Sequence, residues 1–211
     1  MIIEDIKNNF INDWNETGVY HCKGLMSDLP DWNYIVNVLN IATRKKNTTQ
    51  EQNMAPAQYE VPYKDLFAIK TLSYSKEKPN EFVIESDATF FFSIFFDPRD
   101  RPKMISTSLS NQIDEMENIF DISLNFSSLK IALSEKFVPY ENHSWHTCIV
   151  QIAGINKWEL KDDRQNFKET YILEPGDILF FKEGIYHQIS NEGPRSSVVG
   201  RFTLNSEVEN A

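Results

Sequence analysis

Leu173-Glu-Pro-Gly-Asp177-Ile-Leu-Phe-Phe-Lys-Glu-Gly184-Ile-Tyr-His187-Gln-Ile-Ser-Asn191 is the stretch on which the reading of this chain turns. Two short runs within it, Ile178–Phe181 and Tyr186–Ser190, are rich in β-branched and aromatic residues and read as strands. The turns Glu174-Pro175-Gly176-Asp177 and Asn191-Glu192-Gly193-Pro194 bracket them, and Gly184 sits in the connection between. Neither run is long enough for a helix, and the flanking Pro and Gly stop both.

The same period of two extends outward in both directions. Leu129–Leu133, Cys148–Ala153, Lys157–Leu160 and Thr170–Leu173 read as strands upstream, and Ser197–Thr203 downstream. Five of the seven glycines (Gly154, Gly176, Gly184, Gly193 and Gly200) fall after residue 150, as short hairpins require. Many short strands with regular turns predict a sandwich or barrel. Upstream the pattern is mixed. Asp31–Ala42 places Trp32, Ile35, Val36, Leu39 and Ala42 on one helical face behind the acidic Asp28 and Asp31. Residues 44–60 are polar and read as a loop, and Asp65–Leu72 is ambiguous. Phe82–Ile84 and Thr89–Phe96 read as strands, and the Phe90–Phe96 run as core. Asp97–Pro102 ends the second of these, and Ser108–Phe120 sets Leu109, Ile113, Met116 and Phe120 at helical spacing. The expected organisation is an N-terminal α/β extension, residues 1–125, on a β core, residues 126–206.

Composition narrows the function. The chain has 211 residues, 41 % apolar, with 15 Phe, so it can bury a sizeable core. A net charge of -10 disfavours general nucleic-acid binding. Arg44-Lys45-Lys46 is the one compact basic run and reads as a solvated helix end. Two cysteines, Cys22 and Cys148, are too few for a disulfide scaffold and read as free thiols of a reducing cytoplasm. The first residues lack the basic start and apolar run of a signal peptide, and no apolar stretch reaches spanning length. A cytoplasmic protein is therefore expected, without a membrane partner and with a homodimer as an open possibility.

Three of the four histidines, His143, His146 and His187, lie in the β region. A small barrel brings distant strands together at its mouth, and histidine with a carboxylate suits Fe, Mn, Ni or Zn there. Glu141 stands two residues before His143, and on an extended segment positions two apart share a face. Glu141, His143 and His187 then form a candidate facial triad with open positions for substrate or dioxygen. His146 is an alternative ligand. Trp145, Trp158, Tyr140 and Tyr186 read as packing or rim groups, and His21 has no partner pattern.

Gly176 to Asn191 resembles the second conserved motif of the cupin superfamily, with Lys182 where that motif has Pro. Ile149-Val-Gln151-Ile-Ala-Gly154-Ile-Asn156-Lys157-Trp158, with Leu173-Glu-Pro-Gly-Asp-Ile-Leu, is similar to the JmjC-like hydroxylases of that superfamily. The resemblance covers about 75 residues and implies a jelly-roll, the double-stranded β-helix, using Fe(II) and 2-oxoglutarate as a dioxygenase. Those enzymes carry His-x-Asp ahead of the Gln, whereas this chain reads Glu141-Asn-His143. Three arrangements stay open. The triad is order-exchanged, or the loop is shifted so that His143 and His146 bind, or the metal has been lost. For the far carboxylate of 2-oxoglutarate such enzymes often use a Lys where this chain has Asn156. Lys157 is its neighbour, and Arg201 on the last strand resembles the C-terminal Arg of other oxygenases on this fold. The expected substrate is a small molecule or a protein side chain. A three-His dioxygenase, an isomerase and a non-catalytic binding module are the competing expectations.

Overall fold

The computed structural model describes residues 3–35, 67–71, 91–96, 106–132, 136–162 and 168–205. Eleven strands among these residues form two sheets facing each other. The larger has the order β1-β9-β6-β11-β4-β3-β2 and the smaller β5-β10-β7-β8. Every pairing is antiparallel. The strands are β1 (Val19–Cys22), β2 (Phe67–Thr71), β3 (Phe91–Phe96), β4 (Ile122–Ala132), β5 (Lys136–Glu141), β6 (His146–Ala153), β7 (Asn156–Lys161), β8 (Lys168–Leu173), β9 (Ile178–Phe181), β10 (Tyr186–Asn191) and β11 (Arg195–Leu204). Helices α1 (Ile3–Glu16) and α2 (Thr107–Phe120) cover the outer face of the larger sheet.

Two cores follow from strand alternation. Successive side chains of β6 point to opposite faces. Cys148, Val150 and Ile152 meet the helices, and Ile149 enters the space between the sheets. Because both faces are covered, β6 is buried along its length after His146 and has no polar-out face. Phe10 of α1 joins the helical side to the sheet, with its ring 5.0 Å from Phe120 and 5.4 Å from Phe180. Between the sheets lie Val19, Ile149, Trp158, Leu160, Leu173, Leu179, Phe181 and Ile185.

The predicted helix over Ser108–Phe120 begins at Thr107, where Ser106 caps it by accepting from the Leu109 N–H at 3.3 Å. All four residues of its apolar stripe are buried. In the predicted Asp31–Ala42 helix, residues 32–35 are helical, and Asp31 accepts from the Tyr34 N–H at 2.8 Å. The rest of that segment, the 44–60 loop, Phe82–Ile84, the Asp97–Pro102 breaker and the Phe90–Phe96 side chains lie outside the described residues. Strand β4 starts at Ile122 rather than Leu129, because it pairs with β11 along the whole of that strand. Three elements have no counterpart in the sequence reading, namely α1, β1 and β5. Strand β1 pairs with β9 and carries the N-terminal region into the same sheet as the C-terminal strands. Both cysteines are free and buried, and burial alone pushes the Cys148 thiol well above its ordinary range.

Candidate metal centre

Glu141 closes β5 opposite His187, which is its Cα partner on β10. The β5–β10 register slips between Glu141 and Val138, so that a bulge on β5 turns the Glu141 carboxylate to the inner face. Its Oε1 lies 3.5 Å from His187 Nε2. His143 follows in the link to β6, with its ring centroid 4.8 Å from that of His187. One ligand atom from each of Glu141, His143 and His187 falls within 4.8 Å of the others.

The turn after β9 holds this link in place. Gly184 (φ 78°) donates its N–H to the His143 carbonyl at 2.8 Å, and Glu183 donates its N–H to His146 Nδ1 at 3.1 Å. Two backbone donors of one turn thus fix the segment that carries His143 against the strand that carries His187. This gives the Gly184 position of the sequence motif a physical role.

His187 is 2 % exposed and sits among Phe181, Trp158 and His143. Burial, then the neighbouring His143, pushes its pKa down from 6.5 to about 4. Burial likewise lowers the His143 pKa, against the pull of Glu141. Both rings are therefore neutral at pH 7, the form that binds a metal. His187 Nδ1 lies 3.4 Å from the Ile185 carbonyl, and a proton held there would leave the Nε2 lone pair, on the Glu141 side, for a metal. A carboxylate and two neutral imidazoles on one side of a centre match the donor set of an open-sided divalent ion.

The other sequence-predicted residues divide by strand face. His146 does not join the group. It packs on Trp14 and Phe202 on the helical side of β6, with ring centroids at 5.1 and 5.4 Å. Lys157 points outward and pairs with Glu159 at 2.8 Å, while its neighbour Asn156 is fully buried on the inner face. Arg201 lies on the inner side of β11 at the mouth, exposed, with its guanidinium 4.5 Å from the centre of the Trp145 ring. Tyr140 faces out, donating to Glu159 at 3.1 Å beneath Lys161 at 4.0 Å.

Sequence reasoning missed a second cation. Arg195 starts β11, is 2 % exposed, and donates from Nε to Asn191 Oδ1 at 3.1 Å. Alternation along β11 puts Arg195, Ser197, Val199 and Arg201 on one face, and that pattern was the available signal. Burial pulls the Arg195 pKa down to about 10. Inner-facing buried polar atoms of Asn156 (both amide atoms), Trp158 (Nε1) and Thr147 (Oγ1) have no hydrogen-bond partner among the described residues. Such atoms are costly inside a protein unless a small polar molecule meets them.

Solved structures with the same architecture align over nearly the whole chain. A prolyl hydroxylase from Trichoplax adhaerens, solved with a hypoxia inducible factor oxygen degradation domain peptide, matches at TM-score 0.52 and 10 % identity, covering 99 % of this chain and 94 % of that one. A 2OG-Fe(II) oxygenase family oxidoreductase from Burkholderia pseudomallei matches at TM-score 0.50 and 8 % identity, covering 97 % and 91 %. The fold is the cupin/JmjC-like double-stranded β-helix. The ribosomal oxygenase YcfD from Escherichia coli matches at TM-score 0.51 and 17 % identity, over 95 % of this chain and 53 % of its own length. At these identities the likeness carries the fold and nothing finer. No family model and no curated protein matches the sequence. Among the described residues, no helix is long and apolar enough to cross a membrane.

Proposed function

We propose that this protein is an Fe(II)- and 2-oxoglutarate-dependent oxygenase that hydroxylates a C–H bond of a small molecule or a protein side chain. The observation that carries the reading is the convergence of Glu141, His143 and His187 within 4.8 Å at the barrel mouth. Two His and one carboxylate, on a fold shared with 2OG-Fe(II) oxygenases, form the ligand set of non-haem iron oxygenases. The triad has the order Glu-x-His…His.

Bound iron and 2-oxoglutarate would supply dioxygen activation coupled to oxidative decarboxylation of the keto acid. The chain's own residues do the rest. His143 and His187 stay neutral and offer nitrogen lone pairs, and Glu141 brings one negative charge. Phe181, Trp158 and Leu160 line the inner side of the site and keep bulk water out. Arg195 and Arg201, on the inner face of β11, face the barrel interior and suit a carboxylate. The unmet Thr147, Trp158 and Asn156 atoms are donors and acceptors for the rest of such a ligand. Lys157, turned outward and paired with Glu159, has no part in this.

Anaerobic iron loading followed by metal analysis, and 2-oxoglutarate-to-succinate turnover, test the proposal. The wild type is expected to hold one iron per chain, and Glu141→Gln and His187→Ala to lose it. His146→Ala, on the helical side of β6, is expected to retain it. Loss on His146→Ala with retention in Glu141→Gln would replace this reading by a three-His centre. No metal uptake by the wild type would leave a binding module without catalysis.

A further inference from the structure

His143 is the member of the triad that no strand holds. Glu141 and His187 stand on paired strands, whereas His143 stands on the link between β5 and β6. A ligand on a link must have its ring plane fixed by something other than the sheet, or the centre forms only after that ring is ordered. The Gly184 hydrogen bond holds the His143 backbone and leaves the ring free to turn. The ring itself lies against Trp145, centroid to centroid 4.7 Å, with the two planes 9° apart. Trp145 is in turn held from β11 by the Arg201 guanidinium, 4.5 Å from its ring centre. Arg201 is the Cα partner of Thr147, so the contact ties the link to the strand beside its exit.

We propose that Trp145 and Arg201 are positioning residues that fix the His143 imidazole for metal binding. The inference rests on the assignment of Glu141, His143 and His187 as ligands and adds the device that orders the least supported of the three. Near-parallel stacking restricts rotation of the ring about its Cβ–Cγ bond, which is the motion that would carry its nitrogen away from His187 and Glu141. The cation over the indole restricts Trp145 in the same way. Arg201 then serves the centre through Trp145. An anion on Arg201 and the indole beneath it share one site, so occupancy by a carboxylate would also be felt at His143.

The test uses Co(II) as the probe with the full chain, reading its dissociation constant and the visible absorption of the bound ion. Trp145→Leu keeps apolar bulk and loses the flat face, Trp145→Phe keeps the face, and Arg201→Lys keeps the cation that Arg201→Ala removes. Outer-shell partners of metal ligands typically matter by about tenfold or more, so Trp145→Leu is expected to bind Co(II) about tenfold more weakly with a shifted spectrum. Trp145→Phe is expected to come back to within about threefold of wild type, Arg201→Ala to fall between, and Arg201→Lys to restore it. Thermal melting of each apo variant separates this from loss of fold, since a positioning role moves affinity and spectrum at an unchanged midpoint. Wild-type affinity and spectrum in Trp145→Leu overturn the inference while the metal centre stands. Equal weakening in Trp145→Leu and Trp145→Phe overturns it as well, because bulk rather than the flat face would then matter. A wild type that binds no Co(II) removes the centre and this device together.

Discussion

Lowering the pH of the metal-free protein tests the burial of His187 directly. An unfolded chain protonates this ring as the pH falls through 6.5, whereas the folded chain resists until about 4. In that window the unfolded state binds more protons, so stability falls as the pH falls and levels off below about 4. The gap between 6.5 and about 4 corresponds to roughly 3 kcal/mol in full, most of it lost by pH 4.5. That is a large share of a typical domain's stability. The reference is His187→Leu, which fills the pocket among Phe181, Trp158 and His143 with a group that cannot titrate. Urea unfolding of both proteins in chelator, between pH 7.5 and pH 4.5, gives the two slopes. Carboxylates remote from residue 187 protonate in both and cancel in the difference. The wild type is expected to lose roughly 2 to 3 kcal/mol more than His187→Leu over this range. Parallel profiles would refute the reasoning, since they would mean that water reaches the ring and that the site is not a dry pocket.

Two glycines of similar φ should respond differently to alanine. At Gly154 (φ +68°) an added Cβ collides with the Pro194 carbonyl oxygen, whereas at Gly184 (φ +78°) it meets nothing within 4 Å. Gly184→Ala is expected to cost about 1 kcal/mol from left-handed backbone alone, and Gly154→Ala about 3 kcal/mol or more, as read by thermal melting. Asp177 accepts from the Gly24 N–H at 2.8 Å and the Glu174 N–H at 3.1 Å, and its Oδ2 lies 3.1 Å from His21 Nε2. Asp177→Ala is expected to lower the unfolding free energy by about 3 kcal/mol while leaving metal binding at the other end of β9 unchanged.

The β half of the fold was legible because its strands are bounded by turn residues with definite backbone demands. The run from Glu174 to Asn191 falls into β9, turn and β10 as read, with Gly176 at φ 97° and Gly184 at φ 78°. What stayed hidden is what distant partners decide. Strand β1 has four residues, too few for a period to show between Gly18 and Gly24, and it is a strand because β9 lies beside it. Strand β5 holds Pro139 and sits at a sheet edge, where proline is tolerated but removes the usual strand signal. At the candidate site, spacing brought Glu141, His143 and His187 together on paper, and the fold does the same in space. Spacing could not separate His143 from His146, because that choice depends on where β6 begins and which of its faces His146 occupies. Lys157 and Asn156 divide in the same way on β7, where only the register decides which one faces inward.

Val19 pairs with Phe181 across some 160 residues of chain. At ordinary rates of synthesis, about 5–20 residues per second, strand β1 leaves the ribosome roughly ten to thirty seconds before β9 exists. During that interval Phe10, Trp14 and Tyr20, all later sealed against Phe180 and Phe202, have no sheet to cover them. The nascent chain is thus adhesive around α1 and β1 through that interval, and closure of the barrel waits for β9. Chaperone dependence and yield on expression should track this wait. A circular permutant that joins α1 and β1 directly behind β11 would shorten it.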